Sequence, residues 1–130
     1  KENLQQWAPV NLERAMALSA RVHGHFVLGH VDGLAEIVDR FYEGDSLILK
    51  VEIPEEFKAY VWKKGSVTLN GVSLTINSVE NNNAVSVCLI PETLRQTNLS
   101  QFRKGQKITF EVDTMARAFV HLWSLEKANV

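Results

Sequence analysis

Three of the four histidines, His23, His25 and His30, fall within one stretch, RVHGHFVLGHVDG, from Arg21 to Gly33. Imidazoles this close together suggest metal ligation or proton transfer. A zinc site needs ligands converging at about 2.0–2.3 Å, usually four of them with a water included at a catalytic centre. On an extended strand His23 and His25 point to the same side and could ligate together. His30 falls on the other face unless Gly29 breaks the register. Apart from Asp32, the usual carboxylate or cysteine partners are missing nearby. The spacing therefore favours strand-end or surface histidines, one of them near a pocket, over a metal centre. Gly24, Gly29 and Gly33 suit a bulge or a close backbone approach, within the fold or to a ligand.

Hydroxyls supply a second kind of chemistry. In NGVSLTI, Ser73 and Thr75 lie on one face of one strand beside Gly71. Such a pair can hydrogen-bond the polar edge of a ring or a polyol, or simply face solvent. In LIPETLRQTNL, Glu92 and Thr93 stand at a helix start, where free backbone N–H groups can receive an acceptor atom or be capped. Asp113 ends a strand and could cap the helix that follows. Cys88 sits mid-strand in an alternating run, which argues against a nucleophile. No Ser-His-Asp order, P-loop or Walker-type glycine motif is present.

The elements that must position these residues are mostly strands. SLILKVEIP alternates apolar and polar residues from Leu47 to Ile53. SVTLNGVSLTINSV reads as two strands around Asn70-Gly71, a dipeptide that favours a type I′ turn because both positions tolerate positive φ. Turn-forming asparagines at 81–83 precede a strand from Ala84 to Ile90, Lys107 to Asp113 forms another, and FVLGHVDGLAEIVDRFY holds at least one more. Helical segments begin at Pro54 and Pro91, and proline suits a first turn. The last helix, TMARAFVHLWSLEKA, is apolar nearly all round, so it is either buried on its own barrel or packed against another chain. Short antiparallel strands with short helices between them predict a small closed β-barrel.

The 130 residues suit one domain, and the 45% apolar fraction is that of a globular protein. Fourteen basic and fifteen acidic residues nearly cancel, at net −1. No basic stripe suggests nucleic-acid binding, and apolar runs fall far short of the roughly 20 residues of a membrane span. The opening residues do not read as a signal segment, and a single cysteine forms no internal disulfide. A soluble, reducing, cytoplasmic setting is the expectation. Lys1 in place of Met suggests a processed or excised piece.

An internal repeat adds to this. NLQQWAPVNLE, Asn3 to Glu13, resembles NLSQFRKGQKITFE, Asn98 to Glu111: Asn-Leu, Gln, an aromatic, then an alternating strand ending in Glu. The chain then begins inside the last strand of a preceding, similar barrel. The expected organisation is residues 1–13 from that barrel, a complete barrel over 14–113, and a helix over 114–130.

GHFVLGHVDG, KKGSVTLNGVSLTINSV and CLIPETLRQTNLSQFRKGQKITFEVD, in this order, resemble the riboflavin synthase family and specifically its second lumazine-binding barrel. The resemblance runs from about Val10 to the terminal helix. It implies a mainly β fold: a six-stranded antiparallel Greek-key barrel with short helices and a C-terminal helix, the family being a duplication of two such barrels. It also implies a reaction. Two molecules of 6,7-dimethyl-8-ribityllumazine dismutate, one giving a four-carbon unit to the other, to yield riboflavin and a ribitylamino-pyrimidinedione. No metal or organic cofactor is implied. The ligand shell carried over is Gly29, His30 and Val31; Lys64; Ser73, Leu74 and Thr75; and Ile90, Pro91, Glu92, Thr93, Leu94 and Arg95. His30, Ser73 and Asp113 take the catalytic roles, with His30 suited to proton exchange. His25 receives no role and His23 is incidental. The implied partners are the lumazine and riboflavin, two further copies in a trimer gathered through the C-terminal helices, and lumazine synthase. The alternatives are a non-catalytic lumazine or flavin carrier built on the same barrel, and a metal-dependent barrel enzyme using His23, His25 and His30.

Overall fold

The computed structural model describes residues 9–80 and 83–128. Its core is a closed antiparallel barrel of six strands: β1 (Gly33–Glu43), β2 (Ser46–Glu52), β3 (Ser66–Leu69), β4 (Val72–Val79), β5 (Ala84–Leu89) and β6 (Lys107–Val112). Around the barrel the order is β1-β2-β5-β4-β3-β6. The consecutive strands β3, β4 and β5 are flanked by β2 beside β5 and β6 beside β3, which makes two overlapping Greek keys. The six-stranded Greek-key barrel expected from the resemblance is the one observed.

Period-two alternation gives these strands one apolar face to turn inward. Leu47, Leu49, Val51, Val67, Leu69, Leu74, Ile76, Val85, Val87, Leu89, Ile108 and Phe110 turn inward and are buried. Phe57, on a 3₁₀ turn over Glu55–Tyr60, packs against this core with its ring edge-on to Phe110, centroids 5.1 Å apart. The register shifts between Ile37 and Asp39 in β1 and between Ile76 and Ser78 in β4, and irregularities of this kind bend strands enough to close a small barrel. The turn at Asn70-Gly71 has φ of 49° and 82°, as the dipeptide predicts.

The proline-led segments form a 3₁₀ turn after Pro54 and the short helix α1 (Pro91–Gln96). The last helix, α2 (Thr114–Ala128), does not bury itself on the barrel. Ala116 is covered, but Met115, Phe119, Leu122 and Trp123 remain exposed. Of the opening repeat, 1–8 lie outside the described residues, and residues 9–13 pair with no strand. They are nonetheless anchored: Asn11 Nδ2 donates to the Asn70 carbonyl at 2.8 Å and Asn11 Oδ1 accepts from the Asn98 N–H at 2.9 Å.

Candidate functional site

The β3–β4 hairpin builds the centre of the site. Because its turn is two residues long, Thr68 lies opposite Ser73 and Ser66 opposite Thr75. Their apolar neighbours Val67, Leu69, Leu74 and Ile76 all point into the core. The four hydroxyls therefore share the outer face as one block. β6 adds to it, since Thr68 is also paired with Glu111, which is only 4% exposed.

Residues 23–32 cross this face as a strap, without forming a strand until β1 begins. His25 anchors the strap: its Nδ1 lies 2.7 Å from Ser73 Oγ, its Nε2 lies 3.1 Å from Thr68 Oγ1, and its backbone N–H donates to Ser73 Oγ at 3.2 Å. Farther along, the Leu28 N–H donates to Glu111 Oε1 at 2.9 Å. Asp32 fastens the end, with Oδ2 accepting the Val112 N–H at 2.8 Å and Oδ1 meeting Arg117 at 2.6 Å. Arg117 also lies over the Tyr60 ring, 5.8 Å from its centroid, so one side chain ties the strap, the 3₁₀ turn and α2 together. Burial lowers the His25 pKa below its ordinary 6.5, opposed by the negative charges of Asp113 and Glu111.

His23, His25 and His30 are not brought together. His23 and His30 are exposed, whereas both ring nitrogens of His25 meet hydroxyls. The expectation that His23 and His25 share one side of a strand does not hold, because Gly24 at φ +84° turns the chain between them. Among the described residues no group of three or more His, Cys, Asp or Glu side chains could hold a metal ion.

Gly29, at φ +74°, and Val31 line a cleft of about 40 Å³ with Thr68, Thr109 and Glu111. Lys64 is exposed, and its N–H donates to the Ile76 carbonyl at 2.8 Å, so it stands next to Thr75. Leu74 turns its side chain into the core and offers a ligand only its main chain. β5 runs antiparallel to β4 with Ile76 opposite Val87, which carries Ile90 and Pro91 back towards Ser73. Ile90 is 54% exposed, Thr93 and Leu94 are half-buried, and Glu92 pairs with Arg95 along α1. No side chain caps α1. Asp113 does cap α2, its Oδ1 accepting the Met115 N–H at 2.8 Å.

Sequence reasoning passed over Ser66, Thr68 and Glu111 and left His25 without a role. For Ser66 and Thr68 a signal was available, because a two-residue turn at Asn70-Gly71 dictates which residues of SVTL face Ser73 and Thr75. Nothing local marks His25, whose partners lie 43 and 48 residues away.

Fold and site together define a small closed barrel that presents a hydroxyl-rich outer face beneath a glycine-hinged strap. The chain belongs to the lumazine binding domain family, whose model matches residues 28–113. Among its relatives, the riboflavin synthase of Photobacterium leiognathi is 40% identical over 118 residues, covering 91% of this chain and 54% of that protein. The riboflavin synthase of Brucella abortus (strain 2308) is 42% identical over 123 residues, covering 95% and 60% respectively. The chain thus spans little more than half the length of these relatives. Among solved structures, LumP complexed with riboflavin superposes with a TM-score of 0.66 at 20% identity, covering 72% of this chain and 50% of that one. LumP complexed with 6,7-dimethyl-8-(1'-D-ribityl) lumazine gives 0.63 at 22% identity, covering 66% and 48%. These likenesses bear on the fold.

Proposed function

We propose that this chain is the C-terminal, substrate-binding half of a riboflavin synthase, which converts two molecules of 6,7-dimethyl-8-ribityllumazine to riboflavin and 5-amino-6-(D-ribitylamino)uracil. The observation that carries this reading is the identity of about 40% to riboflavin synthases along at least nine-tenths of the chain. It favours the synthase over a non-catalytic carrier. On this reading residues 1–13 are the tail of a first barrel, 14–113 a complete second barrel, and 114–130 a helix for assembly.

The chemistry asks little of the protein beyond placement and proton movement. The C7 methyl of the lumazine is acidic because the ring delocalises the carbanion formed on deprotonation. The chain has to hold the ring, orient it against a second one and handle protons. Ser73 and Thr75 meet the ring edge, Ile90 to Arg95 and the Gly29–Val31 segment flank it, and Lys64 reaches the ribityl chain. His30, on the exposed part of the strap, exchanges protons with the substrate, and Asp113 assists at the end of β6 while capping α2. The second ring is brought by the first barrel of another copy. The longer protein is a cytoplasmic trimer gathered through α2, with lumazine synthase as the neighbouring enzyme.

Fluorescence titration with riboflavin and with the lumazine, alongside a riboflavin-formation assay, tests this. The expected result is one ligand per barrel with poor turnover. Full synthase activity from this chain alone would overturn the half-enzyme reading, and failure to bind either compound would overturn the function. In the longer protein, His30→Ala and Asp113→Ala should slow turnover more than they weaken binding. Unchanged turnover in both removes their roles.

A further inference from the structure

A serine hydroxyl has three hydrogen-bonding valences, one donor and two acceptors. At Ser73 the strap already engages two of them. The His25 N–H occupies one acceptor site at 3.2 Å, and Nδ1, at 2.7 Å, takes either the hydroxyl proton or the second lone pair, depending on tautomer. The ring cannot swing away freely, because Nε2 is tied to Thr68 Oγ1 at 3.1 Å on the neighbouring strand. The approach is possible only because residue 24 is glycine: a Cβ there would lie 2.4 Å from Ser73 Oγ. Two negative groups on β6 and at its end, Glu111 and Asp113, act on the same imidazole.

We propose that His25 is the positioning residue of the site: it locks the Ser73 hydroxyl in one orientation and leaves it a single valence for the polar edge of a bound lumazine or flavin. This rests on the reading of Ser73 as a ring-edge partner, given above. His25 need not touch the ligand. It acts through Ser73, and the His25 tautomer decides whether that last valence donates or accepts.

A double-mutant cycle on riboflavin affinity, measured by fluorescence titration of this chain, separates this role from simple support of the strap. His25→Phe keeps a ring of similar bulk and removes both nitrogens, and His25→Ala serves as the second variant should the phenylalanine not be accommodated. Ser73→Ala is expected to raise Kd about fivefold to tenfold, the scale of one hydrogen bond. His25→Phe should raise it by a smaller factor, and the double variant should match Ser73→Ala alone. His25→Asn, whose amide can stand in for Nδ1, should recover part of the loss. If the His25 penalty persists in full in the Ser73→Ala background, or if His25→Phe and His25→Ala leave Kd unchanged, the positioning role is wrong. Should Ser73→Ala itself leave Kd unchanged while the parent chain binds, the ring-edge assignment falls, and His25's role with it. A parent chain that binds no riboflavin and no lumazine defeats the functional reading instead.

Discussion

Gly24 shows how narrowly single residues constrain this site. It holds φ +84°, and any side chain there would collide with the Ser73 hydroxyl. A left-handed conformation costs a non-glycine residue roughly 1–2 kcal/mol before any clash is counted. Gly24→Ala should therefore loosen the strap without unfolding the barrel. Hydrogen exchange at the Leu28 amide, which donates to Glu111, should quicken about tenfold or more. An unchanged rate would mean that the strap does not depend on this close approach. His25 makes the strap sensitive to pH. Its folded pKa lies below 6.5, chiefly because burial disfavours the imidazolium. Well above pH 6.5 the ring is neutral in both states. As pH falls through 6.5 the unfolded chain takes up its proton first, so stability declines until the folded pKa is passed. Between pH 7.5 and 5, Tm should fall further in the parent chain than in His25→Gln, and equal slopes would contradict this.

At the scale of elements, the β3–β4 hairpin decides whether the outer face is polar. A shift of one residue in its register would exchange the hydroxyls of Ser66, Thr68, Ser73 and Thr75 for valine, leucine and isoleucine. The turn prevents this through its backbone conformation, φ of 49° at Asn70 and 82° at Gly71. No atom outside the adjoining residues lies within 4 Å of where a Gly71 Cβ would sit, so a substitution there meets strain and not crowding. Gly71→Ala should lower stability in urea by about 1–2 kcal/mol. A loss below about 0.5 kcal/mol would show that flanking pairings alone hold the register. Asn70 contributes beyond its own turn, because its side chain donates to Asn98 Oδ1 at 2.9 Å and its carbonyl accepts from Asn11.

Across the whole molecule the imbalance lies in α2. Met115, Phe119, Leu122 and Trp123 are each more than half exposed, in a helix held at its start by Arg117 on Asp32 and by the Asp113 cap. An apolar surface of this extent is a common mark of an association site. Phe119→Glu combined with Leu122→Glu should leave barrel stability nearly unchanged, since neither side chain belongs to the core, and should abolish self-association in sedimentation. A parent chain that sediments as a monomer at high concentration would rule out α2 as a contact. Beside the strap, Thr75 and Lys64 are likewise exposed, as expected if a second barrel has to complete the site.

Local rules were enough to read the barrel. Alternation of period two marked the strands, Asn70-Gly71 marked a hairpin, and together they placed Ser73 and Thr75 on one outward face, because pleat and turn act between near neighbours in the chain. The strap follows no such period. Its path depends on hydrogen bonds to residues far away in sequence, Ser73, Thr68, Glu111 and Val112. Only the assembled tertiary structure could therefore put His25, and neither His23 nor His30, against the hydroxyl block. The same holds for α2, whose apolar sequence was compatible with burial on the barrel. In the folded chain Ala116 is covered while Met115, Phe119, Leu122 and Trp123 stay exposed, because burial needs an opposing surface from elsewhere in the fold and no local pattern specifies one.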